Sequence, residues 1–310
     1  MTELATPPAV GAATSVLDVI GDTPLVRLDG VWVKLEYLNP SGSIKARLAK
    51  YLIERAEREG LLQPGDTIVE ASSGNTGNAM SMVAAVKGYR MLVVMPNGMS
   101  KERTAISRAF GAEVRTVGDF HVNDALALAK QMGEQPGYYA PAQFDNEWNV
   151  DENREWLARE VLDQLPAGVL PDAVVNGVGT GGTIVGVGQG FRAVNPQCLV
   201  VAMEPDESCT INCGEVCKHL IEGIADGFVP GIVARHLGEI DEFTAVSSDA
   251  AVAEMRRIAR DHGMFVGPSS GAHLLAARRL VEERGLDNVV TFFCDEGEKY
   301  INDHFVGGHV

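Results

Sequence analysis

The sequence predicts an α/β protein built on parallel sheets with helices packed on both faces. Short apolar runs alternate with amphipathic stretches along nearly all of the 310 residues, the pattern of repeated strand–helix units. Helical stretches close on glycine, as at Gly60, Gly88 and Gly111. Glycine- and hydroxyl-rich turns stand directly after strand-like runs, where open parallel sheets carry their ligand loops.

Residues 31–35 read as a strand, and 46–59 as a helix with Leu48, Leu52 and Ala56 on one face. A strand at 67–70 leads into a helix at 75–87, and a strand at 90–95 stops at Pro96. The next helix, 100–110, takes Ser100 as its cap, and a strand at 113–117 and a helix at 122–131 follow. The loop 133–149, which contains Pro136, Gly137 and Pro141, marks a boundary between two halves. Beyond it, helices are predicted at 152–164, 183–191, 250–261 and 270–283. Strands are predicted at 173–176, 199–203, 243–246 and 288–293, with an irregular stretch at 204–238. Internal repeats and low-complexity tracts are absent from the sequence.

Twenty-six basic against 42 acidic residues leave a net charge of -16, which disfavours nucleic acid and anionic membranes as partners. No apolar run approaches the ~20 residues of a membrane-spanning helix. Residues 1–11 lack the basic start and apolar core of an export signal, so a cytoplasmic protein with a loose N-terminal arm is expected. Five cysteines without such a signal fit reduced thiols better than a disulfide framework. Cys209, Cys213 and Cys217 are spaced four apart and would share one face of a helix. Three thiolates and a fourth ligand suit zinc or an iron–sulfur cluster, but such sites usually use tighter pairs, so idle or buried thiols and no metal are expected. His219, close by, reads as structural.

Four turns carry the chemistry. In Asn39-Pro40-Ser41-Gly42-Ser43-Ile44-Lys45, a lysine stands at the mouth of a strand–turn–helix junction. A helical lysine usually solvates a surface, but an amine placed here also suits Schiff-base chemistry. Ser72-Ser73-Gly74-Asn75-Thr76-Gly77 opens a helix whose first N–H groups suit a carboxylate or a phosphate equally, unless it is simply a capped turn. Gly177-Val178-Gly179-Thr180-Gly181-Gly182-Thr183 has the four glycines and two hydroxyls of a phosphate cradle. It lacks the Lys-Ser/Thr pair of a P-loop and the spacing of a dinucleotide fingerprint, which leaves a single phosphate group. Gly267-Pro268-Ser269-Ser270-Gly271 is a turn with a cap. An amine, a single-phosphate cradle, an anion-binding helix start and a spare hydroxyl together suggest pyridoxal phosphate.

Six runs occur in order over nearly the whole chain. They are Ile20-Gly21-Asp22-Thr23-Pro24-Leu25-Val26-Arg27-Leu28, Lys34-Leu35-Glu36-Tyr37-Leu38 continuing through Asn39 to Lys45, Ser73-Gly74-Asn75-Thr76-Gly77, Gly179-Thr180-Gly181-Gly182-Thr183, Gly223-Ile224 with Gly227-Phe228-Val229-Pro230, and Asp295-Glu296-Gly297-Glu298-Lys299-Tyr300. In these the chain resembles the cysteine synthase and cystathionine β-synthase family, fold-type II pyridoxal-phosphate enzymes. The resemblance implies the tryptophan synthase β-subunit-like fold, with two open, twisted, mainly parallel sheets and helices on both faces. It implies a smaller, mobile domain of residues 1–12 and 36–149 and a larger one of 13–35 and 150–310 holding the phosphate loop. It also implies a homodimer.

By the same resemblance, Lys45 carries the cofactor as an aldimine and removes the substrate's α-proton. Asn75 meets the ring hydroxyl, Gly179, Thr180, Gly181, Gly182 and Thr183 hold the phosphate, and Ser269 is the neutral partner of the ring nitrogen. Ser72, Ser73, Thr76 and Gln143 take the substrate carboxylate. The implied reaction is β-replacement on an activated serine, O-acetylserine or O-phosphoserine. Sulfide or a thiol attacks the aminoacrylate to give L-cysteine or an analogue. The alternatives are β-elimination such as cysteine desulfhydration, a cystathionine β-synthase-type reaction, a non-catalytic paralogue and a metal or thiol sensor. The chain departs from the family pattern at Ser72, at Asn97-Gly98 and at 153–160, where a His and a Thr-Gly-Pro-Glu run are usual. Arg154 and Arg159 in that segment read as surface charges, with a more anionic substrate as the alternative.

Overall fold

The structure, a computed structural model, describes residues 12–98, 101–118 and 122–306. The expected N-terminal arm and the Ser100 cap lie outside the described residues.

Among the described residues, ten strands form two sheets. They are β1 (Leu25–Leu28), β2 (Val31–Lys34), β3 (Thr67–Ala71), β4 (Arg90–Pro96), β5 (Glu113–Val117), β6 (Tyr138–Tyr139), β7 (Ala173–Gly177), β8 (Leu199–Pro205), β9 (Glu242–Val246) and β10 (Val289–Phe292). The larger sheet has the order β1-β2-β10-β7-β8-β9, and the smaller β5-β4-β3-β6. Only the β1–β2 pair is antiparallel. In β3 and β7 every residue is buried, as expected of parallel strands covered on both sides. Alternate side chains feed opposite faces. Val175, Val201 and Met203 join one apolar cluster, while Val174, Val200 and Ala202 join another.

The helices are α1 (Lys45–Arg58), α2 (Asn75–Lys87), α3 (Lys101–Ala109), α4 (Asn123–Gly133), α5 (Trp148–Glu152), α6 (Ala158–Gln164), α7 (Gly182–Arg192), α8 (Gly231–His236), α9 (Ser248–His262) and α10 (Pro268–Arg284). A π-helical turn, Asn153–Leu157, joins α5 to α6, so the predicted helix at 152–164 begins earlier and is widened in its middle. The loop predicted at 133–149 also contains β6, and α8 lies within the stretch read as irregular. Among the described residues no helix is long and apolar enough to cross a membrane.

The reduced-thiol expectation needs correction: Cys209 and Cys213 are joined by a disulfide. Cys213 N–H donates to the Cys209 carbonyl at 2.9 Å, and this single turn brings the two Cα atoms to 5.2 Å, within the span of a disulfide. The segment forms turns and no helix, so the three thiols share no helical face. Cys217 is free and exposed. Among the described residues no cluster of three or more Cys, His, Asp or Glu side chains is placed to hold a metal ion.

Candidate active site

The turn before Lys45 is held from several sides. Ser41 and Gly42 both have left-handed φ, 69° and 67°, a conformation costly for the serine. Asn39 accepts a bond from Gly21 N–H at 2.9 Å and donates to Glu36 Oε2 at 2.7 Å. Lys299 Nζ donates to the carbonyls of Ser41 and Gly42, both at 2.9 Å. Ile44 N–H donates to the Cys294 carbonyl at 2.8 Å, and a bridge pairs Ser43 with Asp295 just beyond β10. α1 is therefore anchored at its start to the larger sheet, while its apolar face packs with α2 and the smaller one.

Two residues on, Arg47 is fully buried. It meets Glu36 Oε2 at 2.7 Å and Glu160 Oε1 at 2.8 Å, and Glu160 also takes Lys34 Nζ at 2.5 Å. Burial opposes ionisation of Glu160, but the hydrogen bonds and charges of Arg47 and Lys34 hold it down to about 2. This network ties β2, α1 and α6 together beneath the lysine.

The second turn is built by its own hydroxyls. Ser72 Oγ accepts from Gly74 N–H at 3.1 Å and Gly77 N–H at 2.9 Å. Thr76 Oγ1 donates to Gln143 Oε1 at 2.6 Å, and Gln143 Nε2 donates to the Ala71 carbonyl at 2.8 Å. Behind Gln143 lies Glu70. Burial pushes its carboxyl up to about 8, against the pull of the Gln143 and Ala71 N–H groups. Burial likewise lifts Glu152 to about 8, against the charge of Arg47.

Both glutamates therefore hold a proton in the folded protein near neutral pH and lose it on unfolding. The unfolded chain binds fewer protons, so stability declines as pH rises from the ordinary glutamate range to about 8. His273, pushed down to about 4 by burial, is neutral in both states above about pH 6.5. The thermal unfolding midpoint is expected to fall between about pH 6.5 and 8, and to fall less steeply in Glu70→Gln. Equal slopes in the two proteins would refute this.

In the third turn, Thr180 Oγ1 accepts from Asn149 Nδ2 at 2.9 Å and from Gly182 N–H at 3.3 Å. The other amide hydrogen of Asn149 goes to the Gln143 carbonyl at 2.9 Å, so one side chain bridges the glycine turn and the residue that meets Thr76. A Cβ on Gly179 would stand 2.6 Å from the Gly223 carbonyl oxygen, which only glycine avoids. Ser269 sits in the first turn of α10, 4% exposed. His273, one turn on, accepts from Gly177 N–H at 2.7 Å and donates through Nδ1 to the Phe292 carbonyl at 2.8 Å.

The structure brings Lys45, Ser72, Ser73, Asn75, Thr76, Gln143, Gly179, Thr180, Gly181, Thr183 and Ser269 to one cleft. Gly182 lies just behind the wall, packed on Asn149. Arg154 pairs with Asp151 and Glu155 and Arg159 is exposed, and neither lines the cleft. Sequence reasoning did not assign Arg103, Asn149, Glu222, Asp226, His273, Cys294 or Asp295 to the site. Arg103 is a buried cation at the mouth, paired with Glu222 and donating to the Ser73 carbonyl at 3.2 Å. Its position on a charged helix gave no local signal.

The donor set fits pyridoxal phosphate. The Lys45 amine forms no hydrogen bond or ion pair among the described residues. Asn75 Nδ2, which donates to Asp295 Oδ2 at 2.7 Å, carries a second N–H, the kind of group a ring oxygen requires. The glycine turn at the start of α7 lines the cleft with Gly179, Thr180, Gly181 and Thr183, at a helix N-terminus of the kind that binds phosphate.

Fold and site together define a cofactor-dependent enzyme of amino-acid chemistry. Residues 16–295 match the model of the pyridoxal-phosphate-dependent enzyme family, and the chain belongs to that family. It is 40% identical over 298 residues to the cysteine synthase of Staphylococcus aureus, covering 93% of this chain and 95% of that one. It is 40% identical over 303 residues to the O-ureido-L-serine synthase of Streptomyces lavendulae, covering 95% and 93%. A crystal structure of O-ureido-L-serine synthase superposes with a TM-score of 0.89 at 38% identity, covering 96% of this chain and 98% of that one.

Proposed function

We propose that the protein is a cysteine synthase, replacing the β-substituent of an activated serine with sulfide or a thiol. The observation that carries this is the convergence in one cleft of an unpaired lysine amine, a single-phosphate cradle and a carboxylate-binding turn. Two of its relatives are named for making cysteine and O-ureido-L-serine, which differ only in the substituent on the β-carbon. Bound in the cleft, pyridoxal phosphate supplies the electron sink that lets an α-proton and a β-substituent leave.

The chain's own residues do the rest. The glycine turn from Gly179 to Thr183 would hold the phosphate, Asn75 would meet the ring oxygen and Ser269 would partner the ring nitrogen. The turn from Ser72 to Thr76, with Gln143, orients the substrate carboxylate so that its α-hydrogen faces Lys45. Lys45 Nζ takes that proton and holds it until the sulfur nucleophile has added. Residues 36–149 serve as the smaller unit that closes over the carboxylate and excludes water. The working form is a cytoplasmic homodimer.

The test is a spectral titration of the cofactor-loaded enzyme with O-acetylserine, O-phosphoserine, serine and cysteine in turn. One of the activated serines is expected to change the visible band, and sulfide to restore it with release of cysteine. If none of the four perturbs the band, the assignment fails. Sulfide release from cysteine alone would place the protein among β-eliminating enzymes instead.

A further inference from the structure

Asp295 has no part in the chemistry above, yet it is one of the most enclosed carboxyl groups in the protein. It follows β10, is 1% exposed and lines the cleft. Its Oδ2 accepts two hydrogen bonds, from Asn75 Nδ2 at 2.7 Å and from the Tyr300 hydroxyl at 2.5 Å. Tyr300 is fully buried, and burial beside Asp295 pushes its hydroxyl well above the ordinary range, so it remains a donor. Asp295 Oδ1 is buried without a partner and lies against Gly267, the residue that opens α10, where any Cβ would collide with it. Gly267 N–H in turn donates to the Asp295 carbonyl at 3.0 Å. Asp295 thus touches both the side chain at the start of α2 and the turn that delivers Ser269.

An amide can be turned end for end, and the two orientations offer opposite hydrogen-bonding characters. Asp295 removes that freedom for Asn75. Turned over, Asn75 Oδ1 would face Asp295 Oδ2, acceptor against acceptor, in a place that water does not reach. The observed orientation spends one N–H on Asp295 and keeps a second on the same nitrogen, while Oδ1 is buried without a partner. A ring oxygen carrying negative charge needs that donor, and a flipped amide would present it with a lone pair.

We propose that Asp295 is a positioning residue that locks the Asn75 amide in the orientation that donates to the ring oxygen of the cofactor, with Tyr300 holding the carboxyl in place. The proposal rests on the assignment of the cleft to pyridoxal phosphate.

Its test uses apoprotein titrated with pyridoxal phosphate, reading the dissociation constant and the position of the visible band. The proteins compared are wild type, Asp295→Ala, Asn75→Ala and the double variant. Asp295→Ala is expected to weaken binding by roughly 10- to 100-fold, the range for losing a hydrogen bond to a charged group, and to move the band. With Asn75 already replaced, Asp295→Ala should add less than about threefold, because there is no amide left to orient. If the alanine variant does not fold, Asp295→Leu, close in volume and without an acceptor, takes its place. Equal losses in the two backgrounds, or an unmoved constant and band, overturn the proposal. Wild-type apoprotein that takes up no pyridoxal phosphate overturns the assignment of the cleft itself, a separate failure.

Discussion

Replacing Lys45 with alanine is expected to lower the rate of product formation by about 10²- to 10⁴-fold, the usual worth of a positioned proton carrier. The fold should survive. The Lys45 side chain forms no hydrogen bond or ion pair among the described residues, so its removal strands no buried partner. Alanine is also the residue best suited to the first turn of α1. The turn that presents position 45 is held by Asn39, Lys299 and the bridge to Asp295, none of which needs the amine. Cofactor should still be retained through the glycine turn, with a visible spectrum unlike that of wild type. Steady-state rates and a thermal melt on the same preparation decide the matter. Activity within tenfold of wild type, or a collapsed melting point, would each contradict the account of Lys45.

The second large effect is on stability. Arg47→Met removes the cation between Glu36, fully buried, and Glu160, 8% exposed. Lys34 still meets Glu160, but Glu36 keeps only the neutral donors Thr23 Oγ1 and Asn39 Nδ2. Stranding a buried charge in this way costs about 3–5 kcal/mol. For a chain of this size that corresponds to a melting point lower by roughly 10 °C. Activity at low temperature should also fall, because α1 begins two residues earlier with Lys45. A melting point within a degree of wild type would show that the network contributes little. Replacing Arg47, Glu36 and Glu160 together with apolar residues should recover much of the loss, because the penalty comes from the unpaired charge.

The legible parts of the chain are those whose cause is local. Helix α2 was placed at 75–87 and occurs there, because Gly88 ends it in a left-handed cap whose N–H returns to the Ala84 carbonyl. β5 was likewise placed to the residue. The start of α5 was missed because Glu147 precedes it without any side-chain cap. α8 is only six residues long and β6 only two, too short for a periodicity to show.

The site followed the same division. Its turns are punctuated by glycine, serine and proline, which mark a sequence wherever they stand. Asp295 meets Asn75 across 220 residues, and Asn149 meets Thr180 across 31. Such pairings depend on how two sheets come together, which no local pattern encodes. The cysteines show a third case. Their four-residue spacing suggests one face of a helix, but the segment forms a turn that instead bonds Cys209 to Cys213 and leaves Cys217 apart.

Asn149 has a consequence for how the enzyme fills. Its two amide hydrogens are shared between Thr180 and the Gln143 carbonyl, so it couples the two loops directly. Whichever ligand group arrives first bears the entropic cost of ordering both loops, and the next finds its place already set. On the proposed roles of the two loops, occupancy by the phosphate end and by the amino-acid carboxylate is expected to be cooperative, and by linkage each would strengthen the other by the same factor.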